Sequence, residues 1–259
     1  MISLERRAGR PLRIGHRGAA ALAPENTLRS FRAALSAGVD LIEFDVLELR
    51  SGELVIAHSS DLLEVSHGAV RGDVRDRPLA SLRAVAPELP VLDEALRFFA
   101  EEAPETGVHV DVKSMGGEDR IVEALHRFGL VERALVSSFM PGILREVTRL
   151  EPRLRTCISF PRDRLRVAGR RGSRSLVGAG LRVLRPVTPA LVGRLLAHAR
   201  ATTLALQHVL VTRRVVSRAH ARGAAVIAWT LETERDIERV TDAGVDAIVV
   251  DDPRLFGIR

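Results

Sequence analysis

The sequence predicts an α/β fold, a (β/α)8 TIM barrel with a small insertion after the second strand. Short apolar runs of strand type alternate with amphipathic helical segments from end to end of the 259 residues, as is typical of parallel strands joined by helices. Two neighbouring strand candidates are joined by a turn too short for a parallel crossover, which indicates one hairpin. A hydrophobic content of 46% and a charged content of 28% agree with a folded protein that has a sizeable core.

Nine segments have the apolar, β-branched composition of strands. They are residues 12–15, 41–46, 54–57, 108–112, 134–138, 154–160, 203–207, 225–229 and 247–250. The segment 54–57 follows 41–46 across the short stretch Arg50-Ser51-Gly52-Glu53, so we expect it to be an antiparallel return strand. It opens an inserted segment of about residues 51–90 and leaves eight strands for the barrel.

Amphipathic segments lie between the strand candidates, at residues 27–37, 92–102, 119–128, 142–150, 212–222 and 232–243. The alternative architecture is a doubly wound open sheet, but no Gly-x-Gly-x-x-Gly motif follows any strand candidate. The chain has neither an internal repeat nor a low-complexity linker. We therefore expect residues 1–259 to form a single barrel domain.

The composition disfavours several classes of protein. No apolar run approaches the roughly 18 residues of a membrane helix, and the first residues lack the apolar stretch and the cleavage site of a secretory signal. The one cysteine, Cys157, allows neither an intrachain disulfide nor a cysteine-based metal site. We expect a cytoplasmic enzyme without stable membrane insertion, and the sequence does not determine its oligomeric state.

The net charge of +6 reflects an unusual use of arginine. Among the 39 basic residues Lys113 is the one lysine, and the arginines are spread over the whole chain, interleaved with Asp and Glu. The densest arginine cluster, residues 162–174, lacks the aromatic residues that stack on nucleic-acid bases. We therefore expect a small-molecule substrate and no nucleic-acid partner, with a basic nucleic-acid-binding protein as an alternative.

Three acidic residues on two strand candidates point to a cation site. Glu43 and Asp45 are two residues apart on one strand, so their side chains share a face, and Asp111 lies on the next barrel strand. Active sites of such barrels lie at the carboxyl ends of the strands. Three carboxylates in a partly dry site repel one another unless a cation is present, and oxygen ligands suit Mg²⁺ or Ca²⁺. Each acid taken singly is about as well explained by a strand-end cap or a surface ion pair.

Basic and aromatic residues are expected at the same mouth of the barrel. His16 and Arg17 follow the first strand between two glycines, and His58 follows the return strand. Histidine exchanges a proton near neutral pH, and arginine binds phosphate through paired donors. Lys113 lies on the same strand face as Asp111 and fits a confined oxyanion site. Trp229 is expected to be either an apolar wall of the site or a core aromatic. Together these residues predict a phosphodiester site.

Seven short motifs resemble, in their order along the chain, those of the glycerophosphodiester phosphodiesterase family. The motifs are His16-Arg17-Gly18 with Pro24-Glu25-Asn26-Thr27, Glu43-Phe44-Asp45-Val46, His58, Asp111-Val112-Lys113, Ser137-Ser138-Phe139, Ala228-Trp229-Thr230 and the run from Gly244 to Pro253. The resemblance covers nearly the whole chain. Each motif is weak alone, but the seven in order are specific.

The resemblance implies a barrel that cleaves a glycerophosphodiester into glycerol 3-phosphate and an alcohol, with a divalent cation, Mg²⁺ or Ca²⁺. At the matching positions it implies metal ligands at Glu43, Asp45 and Asp111, an acid/base pair at His16 and His58, and phosphate contacts at Arg17 and Lys113. Two alternatives keep the fold. One is a lysophospholipase D-type phosphodiesterase acting on a lipid, and the other is a non-catalytic binder of phosphate ligands.

Two positions depart from the family pattern. The chain has Asp111 where the family usually has glutamate, so its carboxylate reaches one methylene less far. Ser59 follows His58, where the family usually has an aspartate. Asp61 is the nearest acid after His58, and we expect it to orient the imidazole if the loop folds back.

Overall fold

The computed structural model describes residues 2–66, 68–162 and 174–257 of the chain. Of the arginine cluster at 162–174, only the two end residues lie within the described part. None of the helices in these ranges has the length and the hydrophobicity needed to cross a bilayer.

Nine strands run through the described residues: β1 Leu12–Gly15, β2 Leu41–Glu48, β3 Leu54–Ile56, β4 Gly107–Val112, β5 Ala134–Ser138, β6 Arg155–Phe160, β7 Thr203–Gln207, β8 Ala225–Leu231 and β9 Ala247–Val250. Eight of them are parallel and follow one another in the order β1-β9-β8-β7-β6-β5-β4-β2, and pairing of β2 with β1 closes the ring. The predicted (β/α)8 barrel is therefore confirmed. The strands β1, β5, β7 and β9 have the bounds that the sequence predicts.

Ten α-helices occur in the described ranges: α1 Leu28–Ser36, α2 Leu62–Val65, α3 Leu79–Val85, α4 Leu92–Glu101, α5 Glu118–Arg127, α6 Pro141–Leu150, α7 Arg174–Leu184, α8 Thr188–Ala199, α9 Arg213–His220 and α10 Glu234–Ala243. The six amphipathic segments of the sequence correspond to α1, α4, α5, α6, α9 and α10, with ends that differ by at most two residues. The helices α7 and α8 were not among them, because Leu, Val, Ala and Gly occupy most of their positions and blur the helical period.

The return strand β3 pairs antiparallel with the end of β2, with Val46 opposite Ile56, which confirms the predicted hairpin. The inserted segment behind it contains α2 and α3. Its apolar side chains form a small separate core with the end of β2, and the members of this core are Leu47, Leu49, Val55, Ala57, Leu62, Val74, Leu82, Ala86 and Leu89. This packing holds His58, which follows β3, beside the mouth of the barrel.

Alternate residues of β2 face two different layers of the molecule. Phe44 faces the helices, where its ring centroid lies 5.4 Å from that of Phe31 and 5.7 Å from that of Phe99. Glu43 and Asp45 face the barrel interior instead. The interior also contains an apolar cluster that includes Leu12, Ile14, Leu135, Cys157, Ala205, Ile227 and Val249. The two carboxylates therefore lie in a poorly solvated environment at the mouth of an apolar barrel.

Candidate active site

Three buried carboxylates meet at the mouth of the barrel. The register of the parallel strands β2 and β4 sets Asp45 opposite Asp111, and the end of β1 is level with the residue before Glu43. One oxygen from each of Glu43, Asp45 and Asp111 lies within 4.8 Å of the others. All three residues are at most 5% exposed. The structure thus brings together the three acids that the sequence singled out.

The chemistry of this donor set fits a divalent cation. All three groups offer carboxylate oxygens, which hard cations such as Mg²⁺ and Ca²⁺ prefer. Asp45 Oδ1 accepts no hydrogen bond of regular geometry from a described residue, and the positive group that faces it is the ammonium of Lys113. Burial, reinforced by Asp45 and Asp111, raises the pKa of Glu43 to about 7. The fully ionised cluster is therefore unfavourable unless additional positive charge balances it.

Two basic side chains of the chain itself face the cluster. Lys113 Nζ lies 2.6 Å from Asp45 Oδ1, in an ion pair that lacks hydrogen-bond geometry, and it also contacts Asp111. Burial lowers the pKa of Lys113, but the carboxylates outweigh burial and raise it, so the amine stays charged. Arg17 Nε lies 3.2 Å from Asp45 Oδ2, and Arg17 Nη1 donates to Glu25 Oε1 at 2.6 Å. Lys113 and Arg17 lower the pKa of Asp45 although burial opposes them.

The backbone turn after β1 closes over Glu43. The amide of Arg17 donates to Glu43 Oε2 at 2.8 Å, and the amide of Gly18 donates to the backbone oxygen of Glu43 at 3.0 Å. Arg17 and Gly18 have φ angles of +50° and +86°. A Cβ atom at Gly18 would lie 2.3 Å from Ser30 Oγ, so only glycine fits there. This tight turn explains why a histidine and an arginine stand between glycines in the sequence.

Asn26 is a site residue to which the sequence reasoning gave no role. Its Nδ2 donates to Asp45 Oδ2 at 2.8 Å, and the amide of Asp45 donates to Asn26 Oδ1 at 3.1 Å. These two bonds fix the orientation of the carboxylate that also binds Lys113. The available signal was its place in the Pro24-Glu25-Asn26-Thr27 motif, directly after the turn that carries His16.

His16 is held between two carboxylates. Its Nδ1 lies 2.6 Å from Asp251 Oδ1, and its Nε2 lies 4.0 Å from Glu43 Oε2. Burial lowers the pKa of His16, but Glu43 and the hydrogen bond to Asp251 outweigh burial and raise it. Asp251 comes directly after β9, which neighbours β1 in the closed ring. This acid lies within the Gly244 to Pro253 motif of the sequence, where no role was assigned to it.

His58 is oriented by a residue that the sequence reasoning missed. Its Nδ1 lies 3.0 Å from Glu64 Oε1, and Ser59 Oγ donates to Glu64 Oε2 at 2.8 Å. The expectation that Asp61 would orient His58 is wrong, because Asp61 Oδ1 instead accepts the amide of Leu63 and caps α2. The first turn of that helix carries Glu64 back toward the imidazole.

The site at the mouth of the barrel encloses a cavity of about 190 Å³. His16, Arg17, His58 and Lys113 contribute to its walls, together with the carboxylates of Glu43 and Asp111. Trp229, which also lines the cavity, packs edge-on against Phe139, with ring centroids 5.7 Å apart. Trp229 Nε1 has no hydrogen-bond partner among the described residues. All eight residues that the sequence singled out therefore lie in or around one cavity; they are His16, Arg17, Glu43, Asp45, His58, Asp111, Lys113 and Trp229.

Comparison with known proteins places the chain in a family. The model of the glycerophosphoryl diester phosphodiesterase family matches residues 16–255. The glycerophosphodiester phosphodiesterase of Caldanaerobacter subterraneus subsp. tengcongensis is 26% identical over 256 residues, which cover 93% of each chain. A crystal structure of a Silicibacter pomeroyi DSS-3 protein that carries the family name superposes with a TM-score of 0.77 at 26% identity, covering 97% of this chain and 93% of the other.

A second solved structure supports the fold at lower identity. It is that of an Oleispira antarctica phosphodiesterase in complex with the product sn-glycerol-3-phosphate, with a TM-score of 0.70 and 23% identity over 95% of this chain and 94% of the other. The match of the family model spans every motif from His16 to the end of the barrel. The chain therefore belongs to the glycerophosphoryl diester phosphodiesterase family and, with it, to the phosphoric diester hydrolases.

Proposed function

We propose that this chain hydrolyses glycerophosphodiesters to glycerol 3-phosphate and an alcohol, with a divalent cation and with His16 and His58 as the acid/base pair. One observation carries the proposal. Two histidines, each held by its own carboxylate, share a cavity with a compact cluster of three buried acids, Glu43, Asp45 and Asp111. A phosphodiester has two features that need these parts, because its oxygens carry negative charge and its leaving alcohol needs a proton.

The two histidines are suited to proton transfer. Asp251 and Glu64 bind the Nδ1 atoms of His16 and His58, so the protonated Nδ1 faces a carboxylate and the Nε2 lone pair is left for exchange with the substrate. One imidazole takes the proton of the attacking oxygen, which belongs to water or to the neighbouring glycerol hydroxyl of the substrate. The other imidazole gives a proton to the departing alcohol.

The phosphoryl group would be bound by positive charge from several sides. A divalent cation held by Glu43, Asp45 and Asp111 would stabilise the negative charge on the phosphoryl oxygens. Lys113 and Arg17 line the same cavity, and their N–H groups can donate to those oxygens. Both basic side chains are already held in place by carboxylates, so little conformational entropy is lost when a phosphate binds.

The aromatic side of the cavity suits the glycerol moiety or the alcohol. Trp229 and Phe139 form an apolar wall, and the buried indole N–H has no partner among the described residues. The Oleispira antarctica relative, which binds the product sn-glycerol-3-phosphate, supports glycerol 3-phosphate as the product here.

Removal of the cation is the direct test of this proposal. With glycerophosphocholine and Mg²⁺ or Ca²⁺, a coupled assay is expected to detect released glycerol 3-phosphate. Addition of EDTA is expected to stop the release, because it removes the cation whose charge balances the three carboxylates. Excess cation is expected to restore the release. Turnover that persists in EDTA would contradict the role of the cation, and binding of glycerophosphocholine without turnover would indicate a non-catalytic binder.

A lipid substrate is the second candidate, since two apolar side chains are exposed on the loops after β1 and β4. Leu22 is 38% exposed and Met115 is 63% exposed. Both loops follow barrel strands and therefore lie at the mouth, where an acyl chain would lie. Faster release of choline from lysophosphatidylcholine than from glycerophosphocholine would favour the lysophospholipase D-type activity.

The contact between His58 and Glu64 leads to a prediction about the loop after β3. Replacement of Glu64 by Ala is expected to lower kcat about tenfold, because a hydrogen bond to a charged group contributes about 1.5 kcal/mol. Steady-state hydrolysis of glycerophosphocholine measures the effect. Ser59→Ala is expected to cause a smaller loss, because Ser59 Oγ accepts the amide of Asp61 and donates to Glu64 but makes no hydrogen bond to His58. Asp61→Asn keeps the helix cap and is expected to leave kcat unchanged. A greater loss in Asp61→Asn than in Glu64→Ala would contradict this assignment.

A further inference from the structure

A buried chain of hydrogen bonds leads from His109 through Ser137 to Asp111. His109 Nε2 lies 2.9 Å from Ser137 Oγ, which lies 2.5 Å from Asp111 Oδ1. His109 and Ser137 are 4% and 2% exposed, so bulk water does not compete for these bonds. His109 and Asp111 are two residues apart on the same face of β4, and β5 sets Ser137 opposite Asp111.

The direction of the two hydrogen bonds follows from the protons that are available. An ionised carboxylate only accepts, so the Ser137 hydroxyl donates its one proton to Asp111. The contact between the ring and the hydroxyl then requires that His109 Nε2 is protonated and donates to Ser137 Oγ. His109 Nδ1 has no partner within the described ranges. The ring is thus held in the site by one directed contact, and that contact leads to a carboxylate of the cluster.

This chain fixes the rotation of the Asp111 carboxylate. Ser137 binds Oδ1 and Lys113 contacts Oδ2, so both oxygens are held in the orientation that faces the other two acids. Without a donor from His109, the Ser137 hydroxyl has a free lone pair and can rotate away from Asp111. A carboxylate that is oriented before a cation arrives binds the cation more tightly, and partners of this kind behind a ligand raise metal affinity.

We propose that His109 is a positioning residue for the cation ligand Asp111 and acts through the hydroxyl of Ser137. The inference rests on the proposed function, since it takes Asp111 to be a ligand of the divalent cation. It extends that function to two further residues of the cavity wall, His109 and Ser137, which act through Asp111.

Two amide replacements of His109 separate the donor from the rest of the side chain. The side-chain nitrogen of Gln can reach the position of Nε2, whereas that of Asn reaches only the position of Nδ1. When Mg²⁺ alone is titrated into the metal-free protein by calorimetry, we expect His109→Gln to bind within about threefold of wild type. We expect His109→Asn and Ser137→Ala to bind Mg²⁺ about tenfold more weakly, as for other residues that support metal ligands.

The double variant tests whether the effect passes through Ser137. His109→Asn combined with Ser137→Ala is expected to bind Mg²⁺ no more weakly than Ser137→Ala alone, since both changes remove the same contact. Circular dichroism and melting temperatures establish that each variant is folded, and His198→Asn, on the exposed side of α8, serves as the control.

Equal affinities of the Asn and Gln variants would overturn the inference, and so would losses that add in the double variant. Failure of the wild-type protein to bind either Mg²⁺ or Ca²⁺ would be a different result, since it would overturn the cation site and the proposed function together with this inference.

Discussion

Replacement of Glu43 by Gln is expected to reduce kcat about a thousand-fold and to abolish tight binding of the divalent cation. Gln has nearly the same shape and can still accept the hydrogen bond from the amide of Arg17, but it removes one of the three charges of the cluster. A bound cation contributes several kcal/mol of transition-state stabilisation, and about 4 kcal/mol corresponds to a thousand-fold change in rate. Calorimetric titration of Mg²⁺ and the glycerol 3-phosphate assay measure both effects.

The same replacement is expected to stabilise the metal-free protein increasingly as the pH rises above about 5. Burial and the two neighbouring acids raise the pKa of Glu43 from its ordinary 4.5 to about 7. Between these two values the folded protein binds more protons than the unfolded chain, so the contribution of Glu43 to stability falls as pH rises through this window. In EDTA, the melting temperature of Glu43→Gln minus that of wild type should therefore increase as the pH rises from about 5 to about 8.

A matched control separates the site from a general effect of charge. Glu101→Gln removes an exposed carboxylate at the end of α4 and is expected to change neither the rate nor the pH dependence of melting. If Glu43→Gln hydrolysed glycerophosphocholine within tenfold of wild type at saturating Mg²⁺, Glu43 would not be a cation ligand.

Replacement of His16 by Ala is expected to lower kcat at least a hundred-fold, which is the usual contribution of a general acid or base. The KM for glycerophosphocholine should change much less, because the imidazole acts on a proton that moves only in the transition state. Asp251 lies beside Nδ1 of the His16 ring and Glu43 lies on its Nε2 side. No other described histidine occupies this position between the two carboxylates.

The control for His16→Ala is His198→Ala, which changes an exposed histidine on α8 and is expected to keep the wild-type rate. Melting curves with and without Mg²⁺ show whether the His16→Ala protein is folded and still binds the cation. A folded His16→Ala protein that binds Mg²⁺ and turns over within fivefold of wild type would remove His16 from the acid/base pair.

The strands and the acidic cluster could be predicted from the sequence because their signals are local. Residues two apart on a strand share a face, so their spacing alone assigns Glu43 and Asp45 to one side of β2. The four residues from Arg50 to Glu53 cannot span a parallel crossover, and this length alone indicated the hairpin of β2 and β3. The helix α8 escaped the same reasoning, since most of its residues are apolar and their period is weak.

The partners of the site residues were decided by the tertiary structure. His16 and Asp251 are separated by 235 positions and meet because closure of the barrel brings β9 beside β1. His58 binds Glu64 rather than Asp61, because Asp61 caps the short helix α2 and the helix turn then presents Glu64 to the ring. The sequence by itself determined the barrel class and the residue types at its mouth. Which of these side chains touch depends on strand order, ring closure and loop packing, and these long-range contacts leave no periodic pattern in the sequence.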